Sequence, residues 1–167
     1  NSILGCVLME VKRMPSHDDG GDRTNVQRVE LVVEEALGRL QHELFDLGAE
    51  LACPPEDLPE YMTFIGKEQS DLLVKEMDAW LEDLAPLTSF ILPTGSAPVA
   101  TMHVGRCVAR RLERSMVYLL EHEGKKAIRP TALVYINRLS DWLFVMGRWV
   151  SEMLGEEETL WLPLGKR

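Results

Sequence analysis

Four arginines fall within nine residues of the segment GRCVARRLER (residues 105–114), in a chain whose net charge is −9. Arginine presents a planar fork of donors that suits phosphate and carboxylate oxygens. Arg106, Arg110, Arg111 and Arg114 outnumber Glu113 four to one, which gives residues 101–115 a local charge of +3. At roughly 100° per residue, His103, Arg106, Arg110, Glu113 and Arg114 form one helical stripe. Val108, Ala109, Leu112, Met116, Leu119 and Leu120 fall on the core side. Arg106 with Arg110, and Arg110 with Arg114, are like charges four apart, each pair costing about 0.2–0.5 kcal/mol. An anion bound across the stripe would offset that repulsion. A solvated face with an Arg–Glu pair has the same spacing.

A second stripe lies on the next helical segment. Asn137, Asp141, Phe144 and Arg148 fall at i, i+4, i+7 and i+11 in an otherwise apolar stretch. Polar groups in such a place need partners. Pairing within the core, a subunit interface, or a ligand with polar and flat parts resting on Phe144 would each supply them. Spacing leaves the three open.

Other chemistries find no support. Di-iron bundles need Glu-x-x-His pairs, and none of His17, His42, His103 or His122 has Glu three residues before it. There is no GxSxG, Walker A or dinucleotide fingerprint. DDGGDRT (residues 18–24) resembles a phosphate loop, but no strand precedes it, so it reads as a solvated linker. Cys6, Cys53 and Cys107 are odd in number and widely spaced, which suits free thiols in a reducing compartment. A pI near 5.0 argues against general binding to nucleic acid or anionic membrane, so any anion site must be local.

These residues must be positioned by helices. With 167 residues, 46% hydrophobic and 27% charged, the chain has the composition of a soluble globular protein and suffices for a single domain over 1–167. Proline and glycine divide it into helical blocks. The first runs from Ser2 to Arg13, with Leu4, Leu8 and Val11 on one face. PSHDDGGD follows as a polar loop, and Thr24 with Gln27 resembles a capping box. Val29, Val33, Leu37, Leu40, Leu44, Leu47 and Leu51 make the core stripe of the second block, which CPPEDLPEY ends. The third spans Lys67–Leu84, with Leu73, Met77, Trp80 and Leu84 aligned. LTSFILPTGS is an extended connector, and Gly95-Ser96 can cap a fourth helix over Ala97–His122. EGKKAIRP breaks the chain before a last helix that starts near Pro130 and runs to Leu154. GEEETLWLPLGKR is a tail. The apolar run TALVYINRLSDWLFVMGRWV is long enough to span a bilayer, but Asn137, Arg138, Asp141 and Arg148 make that expensive. A buried helix in an all-α, antiparallel five-helix bundle fits better.

Taken in order, LQHELFDLGAELACP, SFILPTGS, HVGRCVARRLERS and YINRLSDWLFVMGRW resemble the PduO-type ATP:cob(I)alamin adenosyltransferases over nearly the whole chain. The resemblance implies a five-helix bundle that assembles as a homotrimer, with sites between subunits. It implies transfer of the 5′-deoxyadenosyl group of ATP to cobalamin, with Mg2+ as phosphate counter-ion and an adenosylcobalamin-dependent enzyme as recipient. By the same resemblance, Arg110, Arg111, Glu113 and Arg114 match the ATP-binding cluster, and Asn137 a nucleotide contact. Arg106 matches an arginine near the corrin that pairs with an aspartate of the first helix. Phe90 matches the aromatic that keeps the lower ligand off cobalt, and Asp141 and Phe144 lie along the corrin. Arg110 and Phe90 are the expected catalytic residues. The family's TGDGGT-type loop and an Asp-Glu-Leu would lie upstream of Asn1, together with the aspartate partner of Arg106, and Thr94 replaces a usual Gly. A non-catalytic corrinoid carrier or sensor with the same bundle, or an acidic scaffold, are the competing expectations. The expected place is the cytoplasm of a bacterium or the mitochondrial matrix of a eukaryote.

Overall fold

The structure, a computed structural model, describes residues 1–14 and 23–166. Five α-helices lie among them: α1 (Ser2–Lys12), α2 (Arg23–Leu51), α3 (Lys67–Leu81), α4 (Ala97–Glu123) and α5 (Pro130–Met153). The expected PSHDDGGD loop, with His17, lies outside the described residues. Thr24 sits inside α2 rather than at its cap.

Side-chain pairings give the helix directions. Lys12 meets Glu34 and Asn1 meets Gln41, so α1 and α2 are antiparallel. Arg39 meets Glu76 and Arg28 meets Asp83, so α2 and α3 are antiparallel as well. Glu76 accepts from Trp142 Nε1 and Asp83 from Trp149 Nε1. Those numbers rise together, so α3 and α5 run parallel. Consecutive helices alternate in direction as expected, and alternation over five helices forces one parallel neighbour pair.

The core follows the apolar stripes. Val29, Val33, Leu37, Leu40 and Leu47 of α2 are buried against Leu4, Val7 and Val11 of α1 and the apolar face of α5. Trp80 packs at 5.3 Å from Trp142 and 5.8 Å from Trp149, which locks α3 onto α5. Each buried aromatic brings its polar atom to a partner, as burial of that atom requires. The Tyr135 hydroxyl donates to Glu43 at 2.7 Å, and Glu43 also receives Arg39 at 3.1 Å. Burial, then the Glu43 charge, pushes the Tyr135 hydroxyl pKa far upward, so it stays a donor. Arg129 ties the α4–α5 connection to α2 through a two-point bond to Glu50 at 2.7 and 3.0 Å. No described helix is long and apolar enough to cross a membrane.

Candidate functional site

The two stripes meet because α4 packs on α5 more extensively than any other helix pair. Glu113 is the joint. One of its carboxylate oxygens receives Asn137 Nδ2 at 2.9 Å, and the other receives Arg110 Nη1. Three expected site residues on two helices therefore form one hydrogen-bonded chain. Arg114 Nη1 donates to the carbonyl of Arg110 at 3.2 Å, one turn along. Arg110, Glu113, Arg114, Val117, Tyr118 and Glu121 border an open recess of about 400 Å³. Arg111 is exposed beside them.

One turn toward the start of α4, Arg106 lies over the Phe144 ring, 5.8 Å from its centroid. That is within cation–π range. Arg106 Nε is buried without a hydrogen-bond partner among the described residues. Asp141 is exposed and faces Arg138 at 4.0 Å on its own helix. Arg106, Phe144, Arg110, Glu113 and Asn137 thus line one run along the α4–α5 pair. A rise of about 1.5 Å per residue makes the run from 106 to 113 about 10 Å long.

Phe90 stands apart from the arginines. It lies on the α3–α4 connection, is 77% exposed, and contacts Trp161 edge to face at a centroid distance of 6.0 Å. Its loop covers the end of the same helix pair: Ile91, Leu92, Thr94 and Gly95 share a small cavity with His103, Gly147 and Arg148.

Three expectations need correction. His103 was placed on the polar stripe, yet it is 5% exposed and packs 6.3 Å from Phe144. Burial, then the Arg106 charge, lowers its pKa below the ordinary value, so it is neutral at pH 7. Leu119 was placed in the core and is exposed, bordering an open recess with Leu51 and Cys53 at the bundle end. Ser96 starts α4 without a side-chain cap: its Oγ is buried and unpartnered, while its N–H donates to Glu156 at 3.0 Å. Arg148, left open above, has partners outside the helical core: Glu158 of the tail at 2.5 Å and the carbonyl of Ala85, on the α3–α4 connection, at 2.9 Å. The contribution of the tail at Glu156, Glu158 and Trp161 escaped sequence reasoning. Its one signal was the short apolar run TLWL after three glutamates.

The family model for cobalamin adenosyltransferases matches residues 1–150. The chain belongs to that family. It is 35% identical over 155 residues to a corrinoid adenosyltransferase of Bacillus subtilis, an alignment spanning 93% of this chain and 70% of the relative. It is 41% identical over 133 residues to a cobalamin adenosyltransferase of Cupriavidus metallidurans, covering 77% of this chain and 65% of that one. Among solved structures it resembles a variant PduO-type ATP:corrinoid adenosyltransferase from Lactobacillus reuteri, complexed with cobalamin and ATP. The TM-score is 0.75 at 26% identity, over 96% of this chain and 78% of the other. All of the α4–α5 run described above falls inside the region that the family model matches.

Proposed function

We propose that this chain transfers the 5′-deoxyadenosyl group of ATP to cob(I)alamin, forming adenosylcobalamin and releasing triphosphate. The observation that carries the reading is the Arg110–Glu113–Asn137 chain, which joins two separate sequence motifs into one polar site. In the reaction the Co(I) electron pair attacks the ribose C5′ carbon and a cobalt–carbon bond forms. The C5′–oxygen bond breaks, and its electrons leave with the triphosphate. Negative charge grows on that leaving group. Fixed donors aimed at developing charge are usually the largest catalytic term.

Arg110, Arg111 and Arg114 hold the triphosphate. Glu113 fixes the direction of Arg110 and Asn137, so neither must reorganise when ATP binds. Asn137 contacts the nucleotide. Asp141 and Phe144 border the corrin, and Arg106 supports that end through its contact with the Phe144 face. Phe90 fills the space beneath cobalt and keeps the lower nitrogen ligand off, which makes Co(II) easier to reduce. Among the described residues no group of three or more His, Cys, Asp or Glu could hold a metal ion. Magnesium enters as the counter-ion of the phosphates, which matches its reluctance to shed water. Residues 1–167 act as one domain of a homotrimer whose sites lie between subunits. An adenosylcobalamin-dependent enzyme in the bacterial cytoplasm or mitochondrial matrix receives the product.

The test uses full-length protein with ATP, magnesium and chemically reduced cobalamin in the absence of oxygen. Adenosylcobalamin should form and triphosphate should appear in equal amount. Tight cobalamin binding without turnover would instead mark a carrier or sensor. Binding of neither ligand would leave only a scaffold.

A further inference from the structure

The tail after α5 turns back at Gly155, where φ is +68°, and runs antiparallel to the α3–α4 connection. Leu92 N–H donates to the Thr159 carbonyl at 2.8 Å, and Trp161 N–H donates to the Phe90 carbonyl at 2.7 Å. The Thr94 and Thr159 hydroxyls meet at 3.0 Å, and Glu156 accepts from the Ser96 N–H. Glu156, Thr159 and Trp161 of the tail thus engage the connection from Phe90 to Ser96, the residue before α4. The pairing is a single bridge, Ile91 with Leu160, so it needs an anchor. Arg148, 7% exposed on α5, supplies one. Its guanidinium holds Glu158 of the tail and the Ala85 carbonyl at the start of the connection. One buried cation therefore fixes both pieces to the same helix.

Phe90 gains its orientation from this arrangement. Its ring is mostly exposed, and Trp161 gives it its one ring contact among the described residues, at an interplanar angle of 73°. That edge-to-face geometry is a favoured one, and it restricts a side chain that would otherwise sample several rotamers. The tail begins beyond residue 150, where the family match ends.

We propose that residues 156–161 are a strap that presets the α3–α4 connection, and that Trp161 is a positioning residue for Phe90. The inference rests on the reading of Phe90 as the residue beneath cobalt. Trp161 acts through Phe90 and the connection, not on substrate.

The experiment compares full-length wild type, Trp161→Ala, Trp161→Phe and Phe90→Ala. Amide hydrogen exchange is measured first, without ligands. In Trp161→Ala the Leu92 amide should exchange at least about 10-fold faster, while α2 and α5 keep their protection. Trp161→Phe, which retains a ring, should lie close to wild type. Cob(II)alamin is then bound with ATP, and its coordination is read by magnetic circular dichroism. Trp161→Ala should show a several-fold larger fraction with the lower ligand still on cobalt, moving toward Phe90→Ala. Unchanged exchange at Leu92 overturns the strap. Faster exchange with wild-type coordination overturns the positioning role, provided Phe90→Ala does change coordination. Wild-type coordination in Phe90→Ala itself would overturn the reading of Phe90 and the positioning role with it, and the exchange result would still decide the strap.

Discussion

The arginines of this chain fall into two groups that differ in how completely they are satisfied. On the α2 side, Arg39 holds Glu43 and makes two bonds of 2.7 Å to Glu76, and Arg129 forks onto Glu50 while donating to the Ile65 carbonyl. On α4, Arg110 shares one carboxylate with Asn137, Arg114 donates to a neighbouring carbonyl, and the Arg111 guanidinium makes no hydrogen bond or ion pair among the described residues. Both sets are charged, and one contributes to stability while the other retains donors for a ligand. A cation turned onto glutamates of its own chain is poorly placed to bind phosphate. The α4 cluster has one carboxylate among three arginines, so it is left with donors to offer.

The sharpest break of this contrast is on the paired side. Glu76→Ala strands the Trp142 indole N–H and leaves Arg39 with Glu43 as its one carboxylate partner among the described residues. It should cost about 3 kcal/mol, since removing one partner of a part-buried charged network leaves the others unsatisfied. For a chain of this size that is a fall of about 10 °C in melting temperature, readable by circular dichroism.

Arg110→Ala should do the opposite. Turnover should fall by about 100-fold, equivalent to about 2.7 kcal/mol, while the melting temperature moves by no more than about 2 °C, as for an exposed side chain. A large loss of stability without a selective loss of turnover would place Arg110 with Arg39.

Gly95→Ala probes the connection that carries Phe90. Gly95 has φ +122°, and a Cβ there would lie 2.9 Å from Val99 Cγ1. The expected cost is about 2 kcal/mol. Urea unfolding should show it, with added disturbance of cobalamin coordination.

The smallest effect is in the pH dependence. His103 has a lowered pKa in the folded chain, so at acid pH the unfolded state binds the extra proton first. Stability is free of this penalty above about pH 6.5, the ordinary histidine value, and falls as pH drops through it toward the folded pKa. His103→Phe should flatten that part of the stability profile. An identical acid slope in the variant would exclude His103 as its source.

Much of this contrast is written in local sequence. The five helices end within a few residues of where proline, glycine and the apolar steps place them, because those signals are local. The α3 end differs most: helix stops at Leu81, and Asp83 and Leu84 continue as turns. The Arg110, Glu113 and Asn137 positions were legible as two stripes and as matches to a known family. What spacing alone left open was their joining, since the α4–α5 register is a packing outcome. The burial of His103 and the partners of Arg148 escaped spacing for a related reason. Both sit where the tail folds back over the bundle, and a bridge between residues 91 and 160 leaves no periodic trace in either segment. Leu119 failed in the opposite direction, since a helical stripe does not reveal where neighbouring helices end.

The central claim is that the α4 arginines are free to hold the triphosphate of ATP. Calorimetric titration of ATP into wild type and the Arg110→Ala/Arg114→Ala double variant tests it most directly. The account predicts an affinity at least about 30-fold weaker in the variant, about 2 kcal/mol, with helical content and cobalamin binding retained. ATP affinity equal to wild type in a folded double variant would contradict it.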